Sequence, residues 1–273
     1  MHERTYRKKQ QPRKRLWLLV KLVFWVSAIL VGQSLFSSFF AESYSYTTTV
    51  AAQPEALAFE PQETVYGDYS KILWLDAGHG GSDVGTYVLF DGFRVFEKDI
   101  TLAIVRTVYE MFQKSDSGIT VFLTRDDDSH VGVLERTFLW NDTHYTVAKA
   151  DLVVSVHVDF YEGATAQAVS GIQVNYCRNK LYNTGRIDIR DHQFAQILQT
   201  SLVNETGARD RGTRGDREFI IPSHSTMPAI LIETGFMSND EELAKLLTAE
   251  YRRLIARGIY NGVVEAFNFP RKN

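Results

Sequence analysis

The chain has 273 residues, of which 44% are hydrophobic, enough for one packed domain of about 200 residues with additional segments. Residues 1–21 hold eight Lys/Arg and one acidic residue, which leaves 22 Lys/Arg against 32 Asp/Glu, a net charge of −10, on the remainder. An acidic bulk argues against nucleic acid as a partner, and the single cysteine, Cys177, excludes an intrachain disulfide.

The chain begins with a basic segment followed by an apolar one. Residues 1–21 form the basic leader, and residues 22–40 would span roughly 28 Å as a helix, close to the thickness of a bilayer core. By the positive-inside rule the leader lies in the cytoplasm and everything after Phe40 outside, so we predict a single-pass transmembrane signal anchor in the cell membrane.

A cleaved secretory signal, which would release the rest of the chain, is the alternative to this anchor. The bulky Phe39 and Phe40 stand where a cleavage site requires small residues, which favours the anchor. Residues 41–70 contain no Lys or Arg and show no periodicity, so we predict an extracellular stalk.

Residues 71–269 alternate β-rich apolar runs with helical patterns. The predicted strands are KILWLD, TVFLTR, DLVVSVH, GIQVNYC and AILIETG, and the predicted helices cover about 97–114, 132–148, 190–204 and the region after Asn239. Several runs are continuously apolar, as in strands covered on both faces. The pattern predicts a three-layer α/β domain with a largely parallel central sheet flanked by helices, whose functional crevice lies beyond the carboxyl ends of the strands.

Four polar residues stand at or beside the ends of these elements. His79 lies in LDAGHGG, His157 in SVHVDF, Glu97 in FEKDITL and Glu233 in AILIETGF. Each of the first three has an ordinary alternative: a loop histidine, a hydrogen-bonded core histidine, and a first-turn acid favoured by the helix dipole. A carboxylate within so apolar a strand as that of Glu233 requires a partner or a metal.

Together these residues place two imidazoles and two carboxylates at one edge of the predicted sheet. Two imidazoles with one carboxylate are a common ligand set for catalytic zinc, and they leave the fourth position open for water. The remaining carboxylate would then be free to transfer protons.

The motifs resemble those of the zinc-dependent N-acetylmuramoyl-L-alanine amidases of bacterial cell walls, in particular the catalytic domains of autolysins and cell-separation amidases. The resemblance runs from about Lys71 to Phe267. It is carried by Asp76–Gly81, Glu97-Lys98, Leu123–Arg125, Ser155–His157, Gly171–Val174 and Pro228–Asn239. The combination is highly specific, although each piece alone is weak.

The resemblance implies that His79, Glu97 and His157 bind Zn²⁺ and that Glu233 is the catalytic carboxylate. The implied reaction is hydrolysis of the amide between the lactyl group of N-acetylmuramic acid and L-alanine in peptidoglycan, in cell-wall remodelling or daughter-cell separation. Asp159 stands where the family usually has Asn, and Pro222-Ser223 where it often has Leu-Arg, so contacts with the muropeptide are expected to differ.

Two other functions remain open at this point: a zinc peptidase or carboxypeptidase acting on stem peptides, and a non-catalytic wall-binding regulator. Arg125, Arg136 and Asn141 also match family positions, but we interpret them as structural, with Arg125 pairing with nearby acids and Asn141 bonded within its helix. Cys177 is predicted to be a buried structural thiol. The histidines at 130, 144, 192 and 224 match no ligand position.

Overall fold

The structure, a computed structural model, describes residues 70–141, 149–178, 180, 183–216 and 219–272. These belong to one of the two units into which the chain divides, Glu63–Asn273. The predicted leader (1–21), anchor (22–40) and all of the predicted stalk (41–70) except Ser70 lie outside the described residues. No helix in the described ranges has both the length and the hydropathy required to cross a membrane.

A six-stranded sheet has the order β4-β1-β5-β8-β6-β7, and β2 and β3 form a separate hairpin. Strands β4, β1, β5 and β8 are parallel, β6 runs antiparallel to β8, and β7 is parallel to β6. The strands are β1 Ile72–Ala77, β2 Tyr87–Phe90, β3 Phe93–Phe96, β4 Thr120–Leu123, β5 Leu152–Asp159, β6 Ile172–Tyr176, β7 Asp210–Gly215 and β8 Ala229–Phe236.

Helices cover both faces of this sheet, which confirms the predicted α/β class with a largely parallel sheet flanked by helices. The helices are α1 Glu97–Gln113, α2 Val133–Asn141, α3 Asp191–Thr206, α4 Ile220–His224, α5 Asp240–Leu246 and α6 Ala249–Ala266, with a 3-10 turn at Ala166–Ala168. The larger core cluster joins α1, α3, α5 and α6 to one face, and a smaller cluster that contains Trp140 and Ile221 joins α2 and α4 to the other.

The alternation of residues along the strands determines which side chains reach each face. In β1, Leu73 and Leu75 enter the larger cluster, whereas Ile72 and Trp74 enter the smaller one. This burial on both faces explains the continuously apolar sequence of the central strands. Asp76 continues the alternation on the side of the smaller cluster.

Two strand regions differ from the sequence prediction. The β2–β3 hairpin turns at Asp91 and Gly92, which have φ values of 49° and 82°, so the Asp-Gly signal for such a turn was present in the sequence. Strand β7, with the sequence DRGTRG, has a composition unfavourable for strands and forms through its pairing with β6. The helix predicted around 132–148 is described over Val133–Asn141.

Candidate active site

The structure brings His79, Glu97 and His157 together from three separate elements. His79 follows β1, Glu97 is the first residue of α1, and His157 lies near the end of β5. One potential ligand atom from each residue lies within 4.8 Å of the others. Glu97 Oε1 is 3.2 Å from His79 Nε2 and 3.1 Å from His157 Nδ1, so one carboxylate oxygen faces a nitrogen of each imidazole.

The surroundings of Glu97 keep its carboxylate ionised although the side chain is buried. Its Oε2 accepts a hydrogen bond from the Thr86 backbone N–H at 2.9 Å, and its Oε1 accepts one from Val158 N–H at 3.2 Å. Burial raises its pKa, but the hydrogen bonds and charges of His157 and His79 outweigh burial and hold the pKa well below its usual range. Glu97 can therefore act as an anionic metal ligand.

Asp83 is a member of the site that the sequence analysis missed. Its Oδ1 lies 2.9 Å from His79 Nδ1, and Oδ1 also accepts a hydrogen bond from Gly85 N–H. A carboxylate on one ring nitrogen orients the imidazole and leaves the other nitrogen to bind a metal. The available signal was an acid four residues after the histidine in a glycine-rich turn.

Two glycines allow the three side chains to approach one another. A Cβ atom on Gly78 would lie 2.4 Å from His157 Cε1, and one on Gly85 would lie 2.6 Å from Glu97 Oε2. Gly85 also has a φ of +65°, which side-chain-bearing residues rarely adopt. Glycine at these positions is thus a steric condition for the convergence of the site.

A buried ion pair between Asp76 and Arg136 holds the turn that carries His79. Asp76 also accepts hydrogen bonds from Thr124 Oγ1 at 2.7 Å and Ser155 Oγ at 2.6 Å. Arg136 donates to the carbonyl of Ala77 at 2.7 Å and to that of His79 at 2.6 Å. The backbone carbonyls on both sides of Gly78 are therefore hydrogen-bonded to the buried guanidinium of Arg136.

Arg125 forms a second attachment to the same turn. Its guanidinium donates to the carbonyls of Ala77 and Gly78 at 3.0 Å each and to that of Lys98 in α1 at 2.9 Å. The expected pairing of Arg125 with the carboxylates of nearby acids is wrong, because its guanidinium donates to backbone carbonyls instead. Its only described contact with the acidic segment 126–128 is to the backbone carbonyl of Asp127.

Asn141 and the remaining described histidines lie apart from the cluster. The expectation that the Asn141 side chain bonds within its own helix is wrong. It donates to the carbonyl of His224 at 2.6 Å and accepts from Thr226 N–H at 2.9 Å. His130 Nδ1 lies 3.3 Å from the carbonyl of Gly80, and His192 packs near Tyr176. His144 lies outside the described residues. Cys177 is buried, as predicted.

Glu233 lies directly beside His157 in the sheet. The two residues are register partners on β8 and β5, and Gln173 of β6 is the partner of Glu233 on its other side. Among the described residues, Glu233 Oε2 is buried and has no hydrogen-bond partner. Burial, with the nearby charges of Asp159 and Glu97, raises the pKa of Glu233 well above its usual value, so its carboxyl holds a proton readily.

Comparison with known proteins assigns this arrangement to a family. The family model for N-acetylmuramoyl-L-alanine amidases matches residues 73–265. The chain belongs to this family. The family and the enzyme class predicted from the sequence are thereby confirmed.

Individual proteins and solved structures are similar to most of the chain. Protein YqiI of Bacillus subtilis is 31% identical over 210 residues, 77% of this chain and 88% of the relative. The endolysin of Bacillus phage SPP1 is 32% identical over 209 residues, 75% of this chain and 69% of the relative. The crystal structure of an N-acetylmuramoyl-L-alanine amidase from Clostridium difficile 630 is similar with a TM-score of 0.63 and 29% identity, covering 72% of this chain and 97% of that one.

We predict that Asp76→Asn lowers the free energy of unfolding at pH 7 by about 3–5 kcal/mol, because it leaves the buried charge of Arg136 without its partner. The pKa of Asp76 is lowered in the folded protein: burial raises it, but Arg136 and Ser155 outweigh burial. Its contribution to stability is therefore present above the unfolded pKa of about 4 and lost as the pH falls below that value.

Urea unfolding of the parent and the variant, at pH 7 and at acid pH, measures this difference. The difference in the free energy of unfolding between the parent and Asp76→Asn should be smaller at acid pH than at pH 7. Asp188→Asn, the same change at an exposed position, is the control and should unfold like the parent. Equal stability of Asp76→Asn and the parent at pH 7 would contradict the role of the ion pair.

Proposed function

We propose that this chain hydrolyses the amide between the lactyl group of N-acetylmuramic acid and the L-alanine of the stem peptide in peptidoglycan, using zinc, and that it acts in cell-wall remodelling or daughter-cell separation. Membership of the amidase family supports the reaction. The observation that carries the mechanism is the convergence of His79, Glu97 and His157 within 4.8 Å, beside the buried carboxyl of Glu233.

The donor set fits zinc. Two imidazole nitrogens and one carboxylate oxygen are borderline and hard donors that zinc accepts, and three protein ligands leave the open position of a catalytic site. The contact of Asp83 with His79 Nδ1 leaves His79 Nε2, the nitrogen facing Glu97, for the metal. His79, Glu97 and His157 would hold the ion.

When bound, zinc polarises the amide carbonyl and lowers the pKa of water, which makes hydroxide available near neutral pH. Glu97 and the two imidazoles hold a fixed arrangement because the Asp76–Arg136 pair and Arg125 hold the turn of His79. The site therefore requires little reorganisation before the reaction.

Glu233 transfers the proton in this mechanism. Its carboxylate accepts a proton from the water whose oxygen attacks the carbonyl carbon. The carbon–nitrogen bond then breaks, and Glu233 returns the proton to the leaving amine nitrogen of L-alanine. The factors that raise the pKa of Glu233, burial and the charges of Asp159 and Glu97, favour its protonated intermediate form.

The membrane location is a separate proposal, supported by the basic leader 1–21 and the apolar residues 22–40. We infer a single-pass anchor with a cytoplasmic N-terminus, a stalk over residues 41–70 and the amidase domain outside the cell. The wall lies outside the membrane, so this topology gives the site access to peptidoglycan.

Digestion of purified peptidoglycan should yield intact stem peptides with free L-alanine amino ends and glycan strands with free lactyl carboxylates. Mass spectrometry of the soluble products measures both. Products cut within the stem peptide would instead identify the peptidase alternative, and zinc binding without any turnover would identify a non-catalytic wall-binding protein.

Glu233→Gln should lower turnover by at least about 10²–10⁴-fold while zinc content stays near one ion per chain, because the variant loses proton transfer but no ligand. His79→Ala and His157→Ala should lose zinc and activity together. Glu97→Gln, unlike Glu233→Gln, should weaken zinc binding, and its activity should fall as a consequence. Metal analysis and peptidoglycan hydrolysis of the same preparations separate these effects. Near-parent turnover by Glu233→Gln would rule out the proposed proton transfer.

Cell fractionation tests the anchor. The full-length protein should remain with membranes in high salt and dissolve in detergent, because an apolar helix of roughly 28 Å is held by the bilayer rather than by charge. Immunoblotting of each fraction measures its location. A mature form beginning near Glu42 in the medium would show the alternative, a cleaved signal.

A further inference from the structure

Arg211 lies at the same edge of the sheet as His157 and Glu233. Because β6 is antiparallel to β8, the start of β6 lies beside the end of β8, with Gln173 opposite Glu233. Strand β7 begins next to β6, and Gln173 Nε2 donates to the Arg211 carbonyl at 3.4 Å. The guanidinium carbon of Arg211 lies 4.8 Å from the centre of the Phe236 ring at the end of β8.

One nitrogen of the Arg211 guanidinium lacks a hydrogen-bond partner among the described residues. Among the described residues, Arg211 Nε is buried and has no hydrogen-bond partner, although the residue as a whole is partly exposed. Two carboxylates lie beside Phe236: Asp159 is its register partner, and Glu242 accepts from its N–H. Arg211 makes no ion pair with either of them in the described ranges, whereas Arg214 pairs with Asp216 at 3.0 Å.

We propose that Arg211 binds the free carboxylate of the peptide residue that follows L-alanine, and so forms a subsite for an acidic stem peptide on the amine side of the scissile bond. The subsite rests on the proposed amidase function. It adds a determinant of substrate choice that the metal cluster and Glu233 do not supply.

The distances across the sheet agree with this assignment. Neighbouring strands lie about 4.8 Å apart, so β7 is roughly 10 Å from β8, with β6 between them. Two residues of extended peptide span about 7 Å, and the arginine side chain covers the remainder. A peptide that leaves Glu233 and crosses Gln173 therefore brings its second residue near Arg211.

A carboxylate is the ligand that matches this arginine. The planar guanidinium donates paired hydrogen bonds that fit a carboxylate, and its carbon lies 4.8 Å from the centre of the Phe236 ring. The rim also contains Asp159, Glu233 and Glu97. Burial raises the pKa of Asp159 and the charge of Arg211 acts in the opposite direction, so Arg211 offsets part of the negative charge that would repel an anionic peptide.

Two N-acetylmuramoyl dipeptides that differ in one group test the proposal. Both carry L-alanyl-D-glutamate with the side-chain carboxyl as a methylamide, and the α-carboxyl is free in one and amidated in the other. The assays use the full-length, zinc-loaded protein in detergent. Arg211→Gln should lower kcat/KM about 10–100-fold for the substrate with the free α-carboxyl, here called the acid, and should change kcat/KM by no more than about twofold for the substrate with the amidated α-carboxyl, here called the amide.

Binding of the cleaved peptides provides a readout other than activity. By calorimetry the parent should bind the acid peptide more tightly than the amide peptide, and Arg211→Gln should bind both alike. Arg211→Lys keeps the charge but loses the paired hydrogen bonds, so it should recover only part of the preference. Arg257→Gln removes an exposed arginine of α6 that pairs with Glu205, and it should behave as the parent.

The outcomes separate the subsite from the amidase function. Equal losses on both substrates in Arg211→Gln would indicate a structural role and overturn the subsite, as would an unchanged preference for the acid. If the parent cleaves neither substrate, the proposed function fails. If, in addition, the parent binds both peptides equally, the subsite fails independently of turnover.

Discussion

The buried contact between Asp76 and Arg136 is the interaction on which the site depends. Two charges removed from water are tolerated only when their remaining hydrogen-bonding groups are also satisfied, and here Thr124, Ser155 and two backbone carbonyls satisfy them. Those carbonyls flank Gly78. The turn with His79 cannot move without leaving hydrogen-bond donors of the buried Arg136 guanidinium without their acceptors, so the position of one imidazole is coupled to the packing of β1, β5 and α2.

The other two members of the cluster are held by regular secondary structure. Glu97 is fixed at the start of α1 by its hydrogen bonds to the backbone of Thr86 and Val158, and His157 belongs to a central strand. Sites built on such elements keep their geometry better than sites built on free loops. The close approach depends on Gly78 and Gly85, because a methyl group at either position would overlap the cluster.

Electrostatics give the two glutamates opposite behaviour. Glu97 is buried, faces two imidazoles and has a depressed pKa, whereas Glu233 is half-buried with its Oε2 enclosed, faces other carboxylates and has a raised pKa. One environment favours a permanent anion and the other a group that gains and loses a proton. Under the proposed mechanism this difference separates metal binding from proton transfer, and Arg211 supplies positive charge on the peptide side of the same acidic rim.

The sequence alone determined the main strands and helices, and it pointed to His79, Glu97, His157 and Glu233 as candidate site residues, because periodicity and short motifs are local. It did not determine strand β7, whose DRGTRG sequence becomes a strand only beside β6, or the partners of Arg125 and Asn141, which lie on other elements. It also gave no reason to place Arg211 near Glu233. That proximity follows from the antiparallel register of β6 against β8 and the pairing of β7, and register between distant segments is decided only when the sheet is assembled.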